Sequence, residues 1–254
     1  MLLVHGLASN ALLWNQVGDL LAARGFAPVA VDLRGHGRSS KPDGPYDMHT
    51  VVGDLRQLVA LLDLQRPLIV GQSWGGNLAL EAVQSFPELF AAGVGIDGGL
   101  IDLQAQWPEW DACAEALKPP PLAGMGVGAF RSRIRAARPD WSDDAIEATL
   151  GNFEVLDDGT IRPWLTLDRH LLVLRGLWEH RPAEVVVGLQ RPFLMLGAES
   201  DDPRSAERRA RAERLAALSP LVRTRWMVGD HDLHAQHPGM VADVISEFAA
   251  LVED

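Results

Sequence analysis

Apolar residues fall along this chain in two alternating kinds of run. The stretches "MLLV", "FAPVAVD", "PLIVG", "AAGVGID", "PFLMLG" and "RTRWMVG" are short, continuous and bounded by turn residues. That pattern marks strands buried on both faces. Between them lie "LLWNQVGDLLAARG", "TVVGDLRQLVALLDL", "WGGNLALEAVQSF", "AERRARAERLAAL" and "MVADVISEFAALV", each with apolar residues at helical spacing. Strand alternating with helix predicts an α/β fold, with a mostly parallel central sheet and helices on both faces. No internal repeat or low-complexity tract interrupts it.

The alternation breaks between Gly98 and about Gly188. There "KPPPLAGMGVGAF" is rich in breakers, and the remainder reads as helices without strands. Residues 98–188 are therefore expected to form an inserted helical cap over a core made of 1–97 and 189–254. Five of the eight tryptophans lie in the insertion (Trp107, Trp110, Trp141, Trp164 and Trp178), and aromatic-rich covering segments line apolar pockets. The stretch "RPWLTLDRHLLVLRGLW" is the expected pocket-facing helix, with Trp164, Leu171 and Trp178 as substrate-binding residues favouring apolar over charged groups.

Composition narrows the function classes. With 47% apolar residues among 254, the chain can bury a real core, which excludes a disordered protein. A formal charge of -11 disfavours a nucleic-acid binder, which concentrates Lys and Arg. Cys113 is the only cysteine, so an intrachain disulfide or a thiolate zinc site is impossible. The start "MLLVHG" lacks the features of a secretory signal, and no apolar run approaches membrane-spanning length. A cytoplasmic protein with no membrane partner is expected.

Candidate chemistry starts at "GQSWG", residues 71–75. The predicted strand ends at Gly71 and a helix begins near Gly75, which leaves Ser73 in the turn between them. Such a turn strains its middle residue, and glycines two positions either side avoid collisions with neighbouring chain. This is the setting of a nucleophile elbow, which lifts a hydroxyl above the sheet, while backbone NH groups at the helix start suit an oxyanion.

With "LLVHGLASNALLW" near the start, "VDLRGHGRSS" after the second strand and "GDHDLHAQHP" near the end, "GQSWGG" makes the chain resemble a cap-bearing serine hydrolase of the α/β-hydrolase fold. The resemblance implies a triad in the order Ser, acid, His. It points to Ser73 as nucleophile and to His231 as base, since His231 follows the last core strand and precedes Pro238 by seven residues. His234 and His237 resemble its neighbours, in loop or surface roles, and no metal is expected. For the acid, the cluster "ESDD" after "PFLMLGA" favours Asp201, with Glu199 and Asp202 beside it, while Asp97, at the end of "AAGVGID", is the alternative. The backbone amides of Leu7 and Trp74 would form the oxyanion hole, with Trp74 also a possible wall of the pocket. His5, Asp32, Arg34 and His36 resemble scaffold residues that shape the surrounding loops.

The activity so implied needs no cofactor: cleavage of a carboxylic ester or lactone of a small, largely apolar substrate through an acyl-serine. A serine at position 73 argues against epoxide hydrolase and haloalkane dehalogenase chemistry, which use an aspartate there. Alternatives are cofactor-free hydrolysis of a carbon–carbon bond, perhydrolase activity, and, from a different class, a non-catalytic small-ligand receptor. The chain departs from the family in starting at the strand that leads into "HG", so the usual first antiparallel strands are missing or shortened. That would put "FAPVAV" at the sheet edge, where a homo-oligomeric partner, a rearranged segment or upstream sequence is expected to cover it.

Overall fold

All six predicted strands enter one sheet in the computed structural model, which describes residues 1–202 and 205–253. The strands are β1 (Leu2–Val4), β2 (Val29–Val31), β3 (Ile69–Gln72), β4 (Gly93–Ile96), β7 (Phe193–Glu199) and β8 (Val222–Val228), in the order β2-β1-β3-β4-β7-β8. Every pairing is parallel, and β2 stands at one edge. β5 (Phe153–Val155) and β6 (Ile161–Pro163) form a separate antiparallel pair.

Side chains alternate across the sheet as the period of two requires. Leu2, Val4, Ile69, Phe193 and Met195 join one buried cluster, while Leu3, Val70, Leu194 and Leu196 join another on the opposite face. Two helices, α1 (Asn15–Ala23) and α12 (Pro238–Glu253), cover the second face through Val17, Leu21, Val241, Ile245 and Phe248. The first face carries α2 (Met48–Leu61), α3 (Trp74–Ser85) and α10 (Ser205–Ala216).

Strand order fixes where a site can open. The chain passes from β1 outward to β2 and then returns to place β3 on the other side of β1. Because α1, which follows β1, and α3, which follows β3, pack on opposite faces, the loops leaving these two strands diverge. In open parallel sheets that divergence makes a crevice beyond the strands' carboxyl ends. Leu7 and Ser73 lie at the two sides of it.

Between β4 and β7 the chain forms α4 (Leu103–Gln106), α5 (Trp110–Ala116), α6 (Val127–Ala137), α7 (Asp143–Thr149), α8 (Leu167–Glu179) and α9 (Pro182–Val187). The β5–β6 pair interrupts these helices, so the expectation of a strand-free insertion was wrong. Its turn contains Asp158 and Gly159, with Gly159 at φ 76°, and Asp-Gly between short apolar runs is a hairpin signal. A four-residue helix, α11 (Leu233–Gln236), follows β8. Among the described residues, no helix is long and apolar enough to cross a membrane.

Candidate active site

Ser73 joins β3 to α3 with φ 53° and ψ −121°, a conformation costing a non-glycine residue on the order of 1–3 kcal/mol. The surrounding glycines are needed because backbones meet there. A Cβ on Gly71 would lie 1.9 Å from the Gly75 carbonyl oxygen, and one on Gly75 would lie 2.5 Å from the carbonyls of Val4 and His5. A Cβ on Gly98 would approach the Ser73 carbonyl oxygen to 2.2 Å. The Ser73 amide is already bonded to the Ile96 carbonyl at 2.9 Å. The next amide, on Trp74, opens α3, where no intrahelical acceptor exists.

The loop that carries His231 is held from beneath. Gln72, buried in β3 just before Ser73, donates to the His231 carbonyl at 3.1 Å and to Asp232 Oδ1 at 3.3 Å. From the other side Arg138, which ends α6, pairs with Asp230 at 3.2 Å and Asp232 at 3.8 Å. Sequence reasoning missed both residues. Gln72 was visible inside the elbow motif, but no local pattern links Arg138 to a loop more than ninety residues away.

His231 Nδ1 lies 2.5 Å from Oδ2 of Asp97. The other oxygen of that carboxylate accepts the Ala198 amide at 2.9 Å, which orients it. Asp201, expected from the sequence to be the partner, is exposed instead; Glu199 pairs with Arg209 and Asp202 with Arg208. Strand register explains the correction. Ile96 pairs with Leu196, so Asp97 emerges beside the site, while β7 runs on to Glu199 and leaves Asp201 exposed beyond its end. Partial withdrawal from water lowers the His231 pKa, but the hydrogen bond and charge of Asp97, with the charge of Asp232, outweigh this and leave it above the ordinary 6.5.

The remaining motif residues build the scaffold. His5 Nε2 accepts the Leu33 amide at 3.0 Å, so Nδ1–H donates to the Gly6 carbonyl at 2.7 Å. His36 Nε2 accepts the Ala8 amide at 3.2 Å, and its Nδ1–H donates to the Arg34 carbonyl at 3.0 Å. Asp32 accepts the amides of Ala11 and Arg38, both at 2.8 Å, and Arg34 is ion-paired with Asp54. These contacts brace the loop that carries Leu7. His234 is fully buried, its ring 4.6 Å from that of Trp14. His231 faces the cavity while His234 is buried away from it, and among the described residues no group of three or more His, Cys, Asp or Glu converges as metal ligands.

Three of these rings make the fold acid-sensitive. Burial lowers the pKa of His5 to about 4, of His36 to about 3 and of His234 to about 4. Each is neutral in the fold and protonates more readily in the unfolded chain, whose ordinary value is 6.5. Their contribution is complete above that value and is lost as pH falls toward 4, by about 3 kcal/mol for a ring such as His234. The urea midpoint is therefore expected to fall between pH 6.5 and 4. His234→Phe, which keeps a ring against Trp14, should flatten that slope; an equally steep slope would count against the assignment.

A cavity of about 540 Å³ brings Leu7, Ser73, Asp97 and His231 together. Its wall is largely apolar, with Leu100, Trp107, Leu174, Leu177, Met195 and Trp226 among the lining residues. The cap residues chosen from sequence do not line it. From α8 the cavity takes His170, Leu174 and Leu177, one helical stripe at i, i+4 and i+7, whereas Leu171 and Trp178 fall on the next stripe. Leu171 packs against the core. Trp178 donates to the Trp107 carbonyl at 2.8 Å beneath the Arg175 guanidinium. Trp164, before α8, lies under the Lys41 ammonium at 4.5 Å. The Trp74 side chain is likewise buried away from the cavity, against His36.

A family model described as the alpha/beta hydrolase fold matches residues 1–126. An uncharacterized protein of Mycobacterium tuberculosis is 42% identical over 89 residues, which are 35% of this chain and only 26% of that protein. A 2-(acetamidomethylene)succinate hydrolase of Mesorhizobium japonicum is 26% identical over 249 residues, 98% of this chain and 87% of the relative. The crystal structure of E-2-(acetamidomethylene)succinate hydrolase is similar with a TM-score of 0.82 at 26% identity, covering 98% of this chain and 91% of that one. A thioesterase domain from the curacin biosynthetic pathway shares the fold with a TM-score of 0.75 at 23% identity, over 97% of this chain and 90% of that one.

Proposed function

Taking as premise that the chain is an α/β-hydrolase-fold protein, we propose that it is a serine hydrolase of small carboxylic esters or lactones. The observation that carries this reading is the convergence of a strained Ser73, a histidine and an aspartate on one cavity. The hydrolase named among its relatives supports the reaction class.

Ser73 Oγ attacks the carbonyl carbon while His231 Nε2 takes its proton, and Asp97 stabilises the resulting imidazolium. The carbonyl oxygen, now an anion, accepts hydrogen bonds from the amides of Leu7 and Trp74. Collapse of this intermediate breaks the carbon–oxygen bond, and the leaving alcohol takes the proton from His231. Water then attacks the acyl-serine with His231 again as base, releasing the acid and restoring Ser73. The apolar cavity wall suits the body of such a substrate, since each methylene enclosed gains roughly 0.8 kcal/mol.

Labelling by a fluorophosphonate, followed by turnover of p-nitrophenyl esters and a lactone panel, tests the reading. Label on Ser73 with turnover is expected; label without turnover would favour a binding protein, and no label would overturn the assignment. The base must be neutral to act, so kcat/KM should rise with pH through a midpoint above 6.5, the side to which Asp97 moves His231. A midpoint below 6.5 in the rate profile would contradict that pairing.

A further inference from the structure

Resting on the serine-hydrolase reading, we propose that the substrate carries a carboxylate and that Arg211 binds it. Arg211 lies on α10 and lines the same cavity as Ser73, next to Ala212 and near Trp226. Only 21% of its side chain is exposed. A guanidinium so far withdrawn from water, against apolar neighbours, is costly unless its donors are used.

The cavity's charges can be accounted for one by one. Asp97 holds His231, and Asp230 is paired with Arg138 at 3.2 Å. Asp202 is paired with Arg208, itself a lining residue, at 2.9 Å. Asp102 caps α4 by accepting the Ala105 amide at 3.0 Å. Arg211 likewise has among the described residues one ion-pair partner, Glu207, at 3.1 Å through a single nitrogen, but that partner is far more exposed than Asp202. Glu207 is 70% exposed. An i, i+4 pair with so exposed a partner contributes only a few tenths of a kcal/mol, and it occupies one of the five N–H donors of the guanidinium.

A carboxylate entering the cavity would meet a planar fork suited to bidentate binding. Arg211, held among the described residues by the exposed Glu207, offers one positive charge to one negative charge. A phosphate monoester, nearly doubly charged, would leave excess charge facing Asp102, Asp202 and Asp230. The inference reverses the sequence-based expectation that the site turns charged groups away: the cavity takes an apolar body with an anionic end.

The test compares p-nitrophenyl butyrate with mono-p-nitrophenyl succinate, esters of similar length with and without a terminal carboxylate. Wild-type protein is expected to prefer the succinate ester. Arg211→Ala and the milder Arg211→Gln should reduce kcat/KM for it about 10- to 100-fold more than for the butyrate, chiefly through KM, with Arg211→Lys restoring part of the loss. Equal losses on both esters, or no wild-type preference, would overturn the proposal.

Binding separates this outcome from failure of the hydrolase reading. Calorimetry with monomethyl succinate, which carries a single carboxylate, on Ser73→Ala protein should show binding that Arg211→Gln weakens at least tenfold, whether or not any ester is turned over. Monomethyl succinate binding insensitive to Arg211, or tighter Arg211-dependent binding of inorganic phosphate, would sink the carboxylate assignment. Butyrate turnover and fluorophosphonate labelling of Ser73 judge the hydrolase reading separately.

Discussion

Ser73→Ala should leave the protein folded and reduce ester hydrolysis on the order of 10³-fold or more. The hydroxyl makes no capping bond to α3, so its removal leaves that helix start as it is, and alanine meets the same backbone strain that serine already bears at φ 53°. What disappears is the atom that, in the proposed mechanism, forms the acyl intermediate. His231→Ala should cost about as much, and the double variant little more, because the two act as one unit. Purified Ser73→Ala retaining substantial activity would sink the mechanism. Ser73→Gly offers a control on the strain itself: it should be equally inactive yet more stable by about 1 kcal/mol, because glycine occupies that conformation freely.

Asp97→Asn is expected to fold normally and lose about 10³- to 10⁴-fold in kcat, whereas Asp201→Asn should stay within about twofold of wild type, as an exposed surface change. The geometry supplies the reason. Asp97 Oδ1 accepts the Ala198 amide, and in asparagine the carbonyl oxygen would keep that bond. Its NH₂ would then face His231 Nδ1 and donate to it, which moves the ring proton to Nε2. A histidine protonated at Nε2 cannot take the proton of Ser73. Steady-state kinetics of the two variants side by side decide the matter, and the opposite ranking would return the acid role to the end of β7.

Much of this protein could be read from local pattern. The four inner strands β1, β3, β4 and β7 are apolar runs buried on both faces, whereas the edge strands β2 and β8 are only partly buried, and each core helix repeats its apolar positions at the period that lays one stripe against a sheet. The turn at Ser73 was legible because its glycines answer a short-range steric demand inside one strand–turn–helix unit. His231 was singled out by its place after the last strand, and the structure pairs its ring with Asp97 rather than with the favoured Asp201.

Packing settled the remainder, because it depends on quantities that no short window encodes. Choosing between Asp97 and Asp201 required the register of β4 against β7 and the point where each strand stops, which arise from residues a hundred positions apart. Choosing the cavity face of α8 required its rotation about its own axis: one step of about 100° per residue separates His170 from Leu171. The hairpin within the insertion was signalled by Asp158-Gly159 but masked by strands only three residues long. Arg211 follows the same logic. On a helix dense with charge it reads as one more solvated side chain, and only the docking of α10 beside β7 and β8 turns it into the cavity.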